Sequence, residues 1–387
     1  MGEFETIRPY NDAEVRTVIT RLLKDDAFLN ILTHYRFPNA ANTFSWLLRP
    51  LVAYYLSREV TNVNTISEFQ DKIEPYVTRT IKQATQGITY SGLENLKKDR
   101  AYLFMSNHRD IVMDPAFVNY ALYHAQHPTP RLAIGDNLLQ KPFVSDLMRL
   151  NKSFIVHRSI TGRREKLAAF QTLSAYINHS IQQEQHSIWI AQAEGRAKDG
   201  DDRTDSAILK MFHMSRKEED FAQVMAELHV VPVSISYEYD PCDQAKAHEL
   251  AVRASTGSYT KAPGEDDASI ARGITGQKGR IHLHFGEEIT QPDNDARLLA
   301  HTIDRAILGN YHLFPVNFLA YAEWTERDTA LNVPLAETLF TASEVAAARA
   351  EWQRRLGACP AEERAWLITQ YATPVRNQYQ LRAETAA

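Results

Sequence analysis

The sequence predicts an α/β fold: a mixed, largely parallel sheet flanked by helices, preceded by a small helical domain and followed by C-terminal helices. Three observations predict it. Between about residues 88 and 290, short apolar runs alternate with segments of helical period. Before that stretch only the helical period is present, at Val15, Ile19, Leu22 and Leu23 and again at Ile66, Phe69, Ile73 and Val77. From about residue 294 to the end helices return. The expected organisation is a helical domain over 1–86, an α/β domain over 87–293, and a helical region over 294–387 that packs on it.

Each element has its own signal. Gly87 and Gly92 punctuate the chain, with Ile88, Thr89 and Tyr90 between them. The runs 101–107, 131–136, 153–158, 186–191, 229–239 and 280–289 read as strands. Pro232, lacking an amide donor, points to an edge or a bulge in the fifth of these. Residues 115–125 read as a helix with Pro115 in its first turn and Asp114 placed to cap it. Leu167, Phe170, Leu173 and Ile177 mark one face of a helix over 166–181. Residues 254–279 mix Gly, Ser, Thr and charges without periodicity and read as a loop.

Composition narrows the function. At 44% hydrophobic and 24% charged residues the chain is globular, not disordered. A net charge of −5 argues against a general nucleic-acid binder. Cys242 and Cys359 are too few and too far apart for a disulfide framework or a zinc site; no cofactor or metal is expected. The acidic start, Met-Gly-Glu-Phe-Glu, lacks a secretory pattern. No run reaches the roughly 20 apolar residues that span a bilayer. The most apolar stretch, Phe44–Leu56, is broken by Arg49 and Pro50. It reads as a buried helix with a proline-marked start, or else as an interfacial segment with Trp46, Tyr54 and Tyr55 at headgroup level.

Four blocks carry chemistry. In the first, Ser106–Ala116, His108 falls between a strand and a helix, where reactive groups of α/β sheets converge. A nearby carboxylate can fix its tautomer and stabilise its cation. Asp110 and Asp114 both qualify; on the plain reading Asp114 only caps the helix and Asp110 faces solvent. In the second, Lys152–Ser159, His157 and Arg158 end a strand, and Arg163, Arg164 and Lys166 follow. Such a cluster suits a phosphate, or is simply a solvated helix start. In the third, Ile188–Gly200, a strand runs into Glu194, Gly195 and Arg196, then Lys198; Gly195 permits a tight turn close to a ligand, or a surface turn. The fourth, Val230–Glu238, carries little chemistry alone and reads as a wall.

In this order the blocks resemble those of the glycerolipid acyltransferase family, which includes glycerol-3-phosphate and lysophosphatidate acyltransferases. The blocks are Asn107-His108…Asp114, Phe154–Arg158, Glu194-Gly195-Arg196 and Val231-Pro232-Val233. The layout is most similar to the soluble plastid-type glycerol-3-phosphate acyltransferase: a helical prefix, Asp-Pro-Ala closing the first block, Gly135-Asp136, then Lys141-Pro142-Phe143, and Ile-Trp-Ile-Ala before the third block. The chain departs from the family in two places. Five residues, not four, separate His108 from Asp114, and the third block has Ala193 for Pro and no Thr after Gly195. The shared Asp-Pro-Ala favours Asp114 as the equivalent acid, with Asp110 as the alternative.

The resemblance implies an acyltransferase of phospholipid biosynthesis. His108 would take a proton from the acceptor hydroxyl as it attacks a thioester. His157, Arg158, Arg196 and Lys198, beside Glu194 and Gly195, would hold the acceptor phosphate. The donor would be acyl-CoA or an acyl carrier protein, and the acceptor glycerol 3-phosphate or a lysophospholipid such as lysophosphatidate. The expected setting is cytoplasmic, peripheral on the cytoplasmic face of the membrane. Two rivals compete: a non-catalytic lipid-binding or membrane-scaffold protein that keeps the fold, and a hydrolase. The second would bring a Gly-x-Ser-x-Gly or His-Glu-x-x-His pattern, and neither occurs.

Overall fold

The computed structural model describes residues 2, 4–37 and 39–386. In chain order the helices are α1 (Asp12–Leu22), α2 (Asp26–Arg36), α3 (Ala41–Glu59), α4 (Ile66–Ala84), α5 (Met113–His124), α6 (Pro142–Leu150), α7 (Arg163–Gln182), α8 (Ser206–His213), α9 (Phe221–Glu227), α10 (Asp243–Thr256), α11 (Glu265–Thr275), α12 (Ala296–Gly309), α13 (Pro315–Glu323), α14 (Ala336–Leu339), α15 (Ala342–Ala358) and α16 (Arg364–Ala386). The strands are β1 (Gly87–Ser91), β2 (Leu103–Ser106), β3 (Arg131–Gly135), β4 (Ser153–Val156), β5 (Ile188–Ala191), β6 (Val230–Tyr237) and β7 (Arg280–Phe285). The strand pairs β1–β7, β2–β5, β2–β6 and β3–β4 are parallel and β6–β7 is antiparallel, the mixed, largely parallel arrangement the sequence predicts.

The chain forms two compact units, one of residues up to Arg79 with Pro130–Tyr176, the other of Thr80–Thr129 with Ile177–Ala387. They cut across the contiguous spans 1–86, 87–293 and 294–387. The reason lies in the first unit's core, where Phe143 and Leu150 of α6 pack with Val15, Val18, Ile19 and Leu22 of α1. Buried Asp146 reinforces this packing by accepting Arg21 Nε at 2.6 Å and Tyr10 Oη at 2.8 Å. The N-terminal segment joins β4 through Ile155 N to Ile7 O at 2.9 Å.

In the same unit the apolar stretch Phe44–Leu56 lies inside α3, with Pro50 in mid-helix and not at its start. It is not a buried helix: no residue from Thr43 to Glu59 is buried. Phe44, Trp46, Leu47, Leu51, Tyr54 and Tyr55 face solvent, as do Ile31 and Tyr35 of α2.

The second unit holds five strands in the order β1–β7–β6–β2–β5. All eight residues of β6 are buried, which explains a near-continuous apolar run. Pro232 therefore sits in a central strand, not at an edge. Its register partner on β2 is Met105, and its carbonyl accepts Gly286 N at 2.8 Å, just past the last β7 pair, Val233–Phe285. The missing amide thus falls at the end of the antiparallel ladder. Exposed β1 is the edge. The stretch 254–279 is not a loop throughout: α10 runs on to Thr256, and α11 occupies Glu265–Thr275. Glu265, Asp266 and Asp267 suit the positive end of the α11 dipole. Its buried residues are Ser269 and Gly273, so small side chains pack it and no apolar stripe betrays it.

A polar strip lies across β1 and β7. His282 Nδ1 is 2.8 Å from Thr89 Oγ1, and Ser91 Oγ lies 3.2 Å from His282 Nε2 and 2.9 Å from His284 Nδ1. The His312 ring is 4.9 Å from that of His282. Burial, then the neighbouring rings His312 and His284, depress His282 from 6.5 to about 4. Burial also lowers His284, against the pull of Glu94. His312 is lowered by burial and Arg280, against Glu238. The folded rings refuse protons that the unfolded chain accepts, so their stabilisation is present above about pH 6.5 and is lost as pH falls towards 4. Urea denaturation across this range should show the loss, and His282→Asn should flatten the slope; an unchanged slope in the variant would contradict the assignment.

Candidate active site

The site begins where β2 ends. Asn107, fully buried, docks on β6: its Oδ1 accepts Ile235 N at 2.8 Å and its Nδ2 donates to Ile235 O at 2.9 Å. The next residue, His108, is thereby fixed at the C-terminal end of a central strand. Its side chain is 16% exposed, so the ring opens to solvent while resting edge-on against Trp189 at 5.9 Å.

His108 Nδ1 lies 2.8 Å from Asp114 Oδ2. The same oxygen accepts Arg109 N at 2.6 Å and Asp110 N at 2.9 Å, and Asp114 Oδ1 accepts Tyr237 Oη at 2.7 Å. Burial, then the charge of Asp114, hold the Tyr237 phenol well above its ordinary pKa, so it remains a donor. Asp114 therefore faces the ring and does not cap the helix. Asp110 performs the capping and is buried, not solvent-facing: its Oδ1 accepts Val112 N at 3.0 Å and Met113 N at 2.9 Å. Burial, then the charge of Asp114, raise its pKa. Gly273 of α11 closes over it, since a Cβ there would lie 2.2 Å from Asp110 Oδ2.

Arg109 anchors the other side of the loop. Its Nη2 donates to Asp202 Oδ2 at 2.7 Å, and its guanidinium lies over the Tyr311 ring at 5.3 Å. Burial opposes its charge, but Asp202, Tyr311 and Asp240 together outweigh that and raise its pKa. Lys246 of α10 pairs with Asp240 and donates to Arg109 O at 2.9 Å.

The third block follows β5 in the same unit. Ala197 N donates to His108 O at 3.0 Å, tying the two blocks together. Gly195 adopts φ +81°, a left-handed turn that favours glycine. Glu194 is exposed and Arg196 half-buried. Lys198 Nζ lies 3.1 Å from Glu249 Oε1 of α10, and Arg253 Nη2 lies 2.7 Å from the same oxygen. The second block belongs to the first unit. There His157 Nδ1 is 3.4 Å from Asp136 Oδ2, while Asp136 Oδ1 accepts Arg158 N at 3.1 Å and Ser159 Oγ at 2.9 Å. Partial burial pushes the Asp136 carboxyl up, but these donors prevail and lower it. Gly135 leaves room for the Arg158 side chain, whose Cδ would be 3.0 Å from a Cβ there.

The structure thus joins His108 with Asp114, and the third block with the His108 backbone. The sequence alone does not mark Tyr237, Asp202, Asp136 or Glu249 as site residues. Tyr237 stood in the fourth block, and only its position at the polar end of an apolar strand hinted at a role. Among the described residues no group of three or more His, Cys, Asp or Glu side chains is placed to hold a metal ion.

Residues 87–236, the segment in which a strand-end histidine is held by a buried aspartate on a mixed sheet, match the Acyltransferase family. That span holds His108, Asp114 and the third block, and the match supports the glycerolipid acyltransferase family. Among its curated relatives, dihydroxyacetone phosphate acyltransferase of Bos taurus is 23% identical over 211 residues, and that of Homo sapiens is 23% identical over 209. Each match covers 52% of this chain and 29% of the relative, so this chain spans under a third of those proteins. Among solved structures, the 1-acyl-sn-glycerophosphate (LPA) acyltransferase PlsC of Thermotoga maritima aligns with a TM-score of 0.36 at 15% identity, covering 73% of this chain and 92% of that one.

Asn107→Ala should strip two buried backbone groups of their partners and cost about 2–4 kcal/mol of stability in chemical denaturation. A loss below about 0.5 kcal/mol would mean that Asn107 does not pin the loop.

Proposed function

We propose that this chain transfers a fatty acyl group from acyl-CoA or acyl carrier protein to a hydroxyl of glycerol 3-phosphate or of a lysophospholipid such as lysophosphatidate, in phospholipid biosynthesis. The observation that carries the reading is the 2.8 Å contact between His108 Nδ1 and Asp114. With Nδ1 so engaged, the ring presents Nε2 as the base. Nε2 takes the hydroxyl proton as the oxygen attacks the thioester carbonyl. The C–S bond then breaks, and the thiolate leaves with that proton. Arg196 and Lys198 are assigned to the acceptor phosphate, with Glu194 and Gly195 shaping their turn. His157 and Arg158 are the first unit's candidate phosphate ligands. The names of the curated relatives add dihydroxyacetone phosphate to the acceptors worth testing. All these acceptors share a hydroxyl and a phosphoester on a three-carbon frame.

His108→Ala should abolish turnover, and Asp114→Asn should lower kcat by about 10²–10⁴-fold by destabilising the required tautomer. Asp110→Asn should lower stability more than kcat. The purified chain, given each acceptor with each donor and scored by product mass, identifies the substrates. A His108→Ala protein with near-wild-type turnover would refute the base, and no acylated product from any pair would favour a scaffold.

The reading includes peripheral membrane contact through α2 and α3. Among the described residues no helix is long and apolar enough to cross a membrane. The solvent-facing Trp46, Tyr54 and Tyr55 beside Leu47 and Leu51 instead suit an interface. Trp46 is 70% exposed, so replacing it leaves the fold intact. Trp46→Ser with Tyr55→Ser should abolish flotation with phosphatidylglycerol-containing vesicles while thermal stability holds; unchanged flotation would exclude this face.

A further inference from the structure

One of the two second-unit cations assigned to the acceptor phosphate already has a partner. Lys198 Nζ and Arg253 Nη2 converge on the same oxygen of Glu249, at 3.1 Å and 2.7 Å. The three form a graded series: the Glu249 side chain is 6% exposed, Lys198 19% and Arg253 52%. A carboxylate so deeply buried is costly unless paired. Here it has two cations, one internal and one on the surface. Burial pulls the Lys198 ammonium towards its neutral form, and Glu249 opposes that. Arg253 sits four residues along α10 from Glu249, so its contact does not depend on Lys198.

We infer that Glu249 is a specificity-determining residue, a resident counter-ion that holds the place of the acceptor phosphate at Lys198. The inference rests on the reading that Lys198 meets that phosphate. A phosphate dianion outcompetes a single carboxylate for the ammonium. When Lys198 turns to it, Arg253 remains on Glu249, so no buried charge is stranded. A neutral alcohol offers nothing in exchange and leaves the pair closed. In the empty site, Glu249 keeps Lys198 charged and ready. Glu249 thus sets a threshold: only an acceptor with a strongly anionic group recruits Lys198.

Glu249→Gln in the full chain removes the competitor. KM for the phosphorylated acceptor should fall about tenfold at pH 7 with kcat within about twofold. Inhibition by inorganic phosphate should tighten in parallel. The alkaline limb of kcat/KM should move to lower pH, because Lys198 loses the carboxylate that supports its charge. A role confined to packing would move none of these in that direction. The double variant Lys198→Met with Glu249→Gln removes both partners and strands no charge; its acceptor KM should equal that of Lys198→Met alone. If Glu249→Gln does not fold, Glu249→Asp, whose shorter side chain draws the carboxylate back from Lys198, is read in its place: its acceptor KM should also fall, and a KM that is unchanged or raised overturns the inference. An acceptor KM that is unchanged or raised in Glu249→Gln overturns the inference, as does a gain that persists without Lys198. The underlying reading fails separately, if Lys198→Met alone leaves the acceptor KM untouched.

Discussion

A carboxylate with no access to water must be solvated by the protein, and at Asp114 that requirement organises the site. Its two oxygens accept four donors: the His108 ring, the amides of Arg109 and Asp110, and the Tyr237 hydroxyl. These donors come from the loop after β2, from the ring itself and from a strand more than a hundred residues later. Each must be in place for the others to be satisfied, since an unpaired buried acceptor is expensive. The loop therefore has little freedom, and the imidazole has one orientation. The same donors that satisfy the buried charge also aim the ring.

Below the loop lies a second layer of buried charge, with α10 at its centre. Lys246 reaches from α10 to the carbonyl of Arg109 and pairs with Asp240. Asp243, at the start of the same helix, accepts Arg355 Nη1 at 2.6 Å and Tyr371 Oη at 2.7 Å. Arg355 and Tyr371 belong to α15 and α16, so the C-terminal helices hold α10 and α10 holds the loop. Glu249 extends the same helix to the third block. Buried ion pairs of this sort add little net stability compared with apolar packing. Their value is directional: each side chain has one partner it can face, which suits a helix that must align two blocks of a site.

The parts of this arrangement legible in the sequence are those written in local periodicity. The runs that became β2 to β7 alternate with helices, and the order of blocks marked His108 and its possible acids. What stayed hidden is long-range or small. Nothing near Tyr237 in sequence reveals that its hydroxyl meets Asp114, 123 residues earlier. Glu249 looks like any charged residue of a polar helix until α10 is seen against Lys198. Helix α11 packs through Ser269 and Gly273, which leave no apolar signature. Phe44–Leu56 differs in the opposite sense: its composition reads as core, yet none of its residues is buried, and Leu56 only partly packs on the first unit's core. Pro232 misled because a proline is tolerated in a central strand when its missing donor falls where a ladder ends.

The fifth residue between His108 and Asp114 is absorbed by the same logic. A longer loop threatens to swing the acid away from the ring. Here Asp110 takes up the slack: by accepting the amides of Val112 and Met113 it folds the added length into the helix start. It does so against its own electrostatics, since burial and the neighbouring Asp114 both disfavour its charge. Helix α11 lies against it there, with room only for the bare Cα of Gly273. The two carboxylates divide the loop between them: Asp110 holds the amides at the helix start, and Asp114 holds the imidazole together with the amides of Arg109 and Asp110.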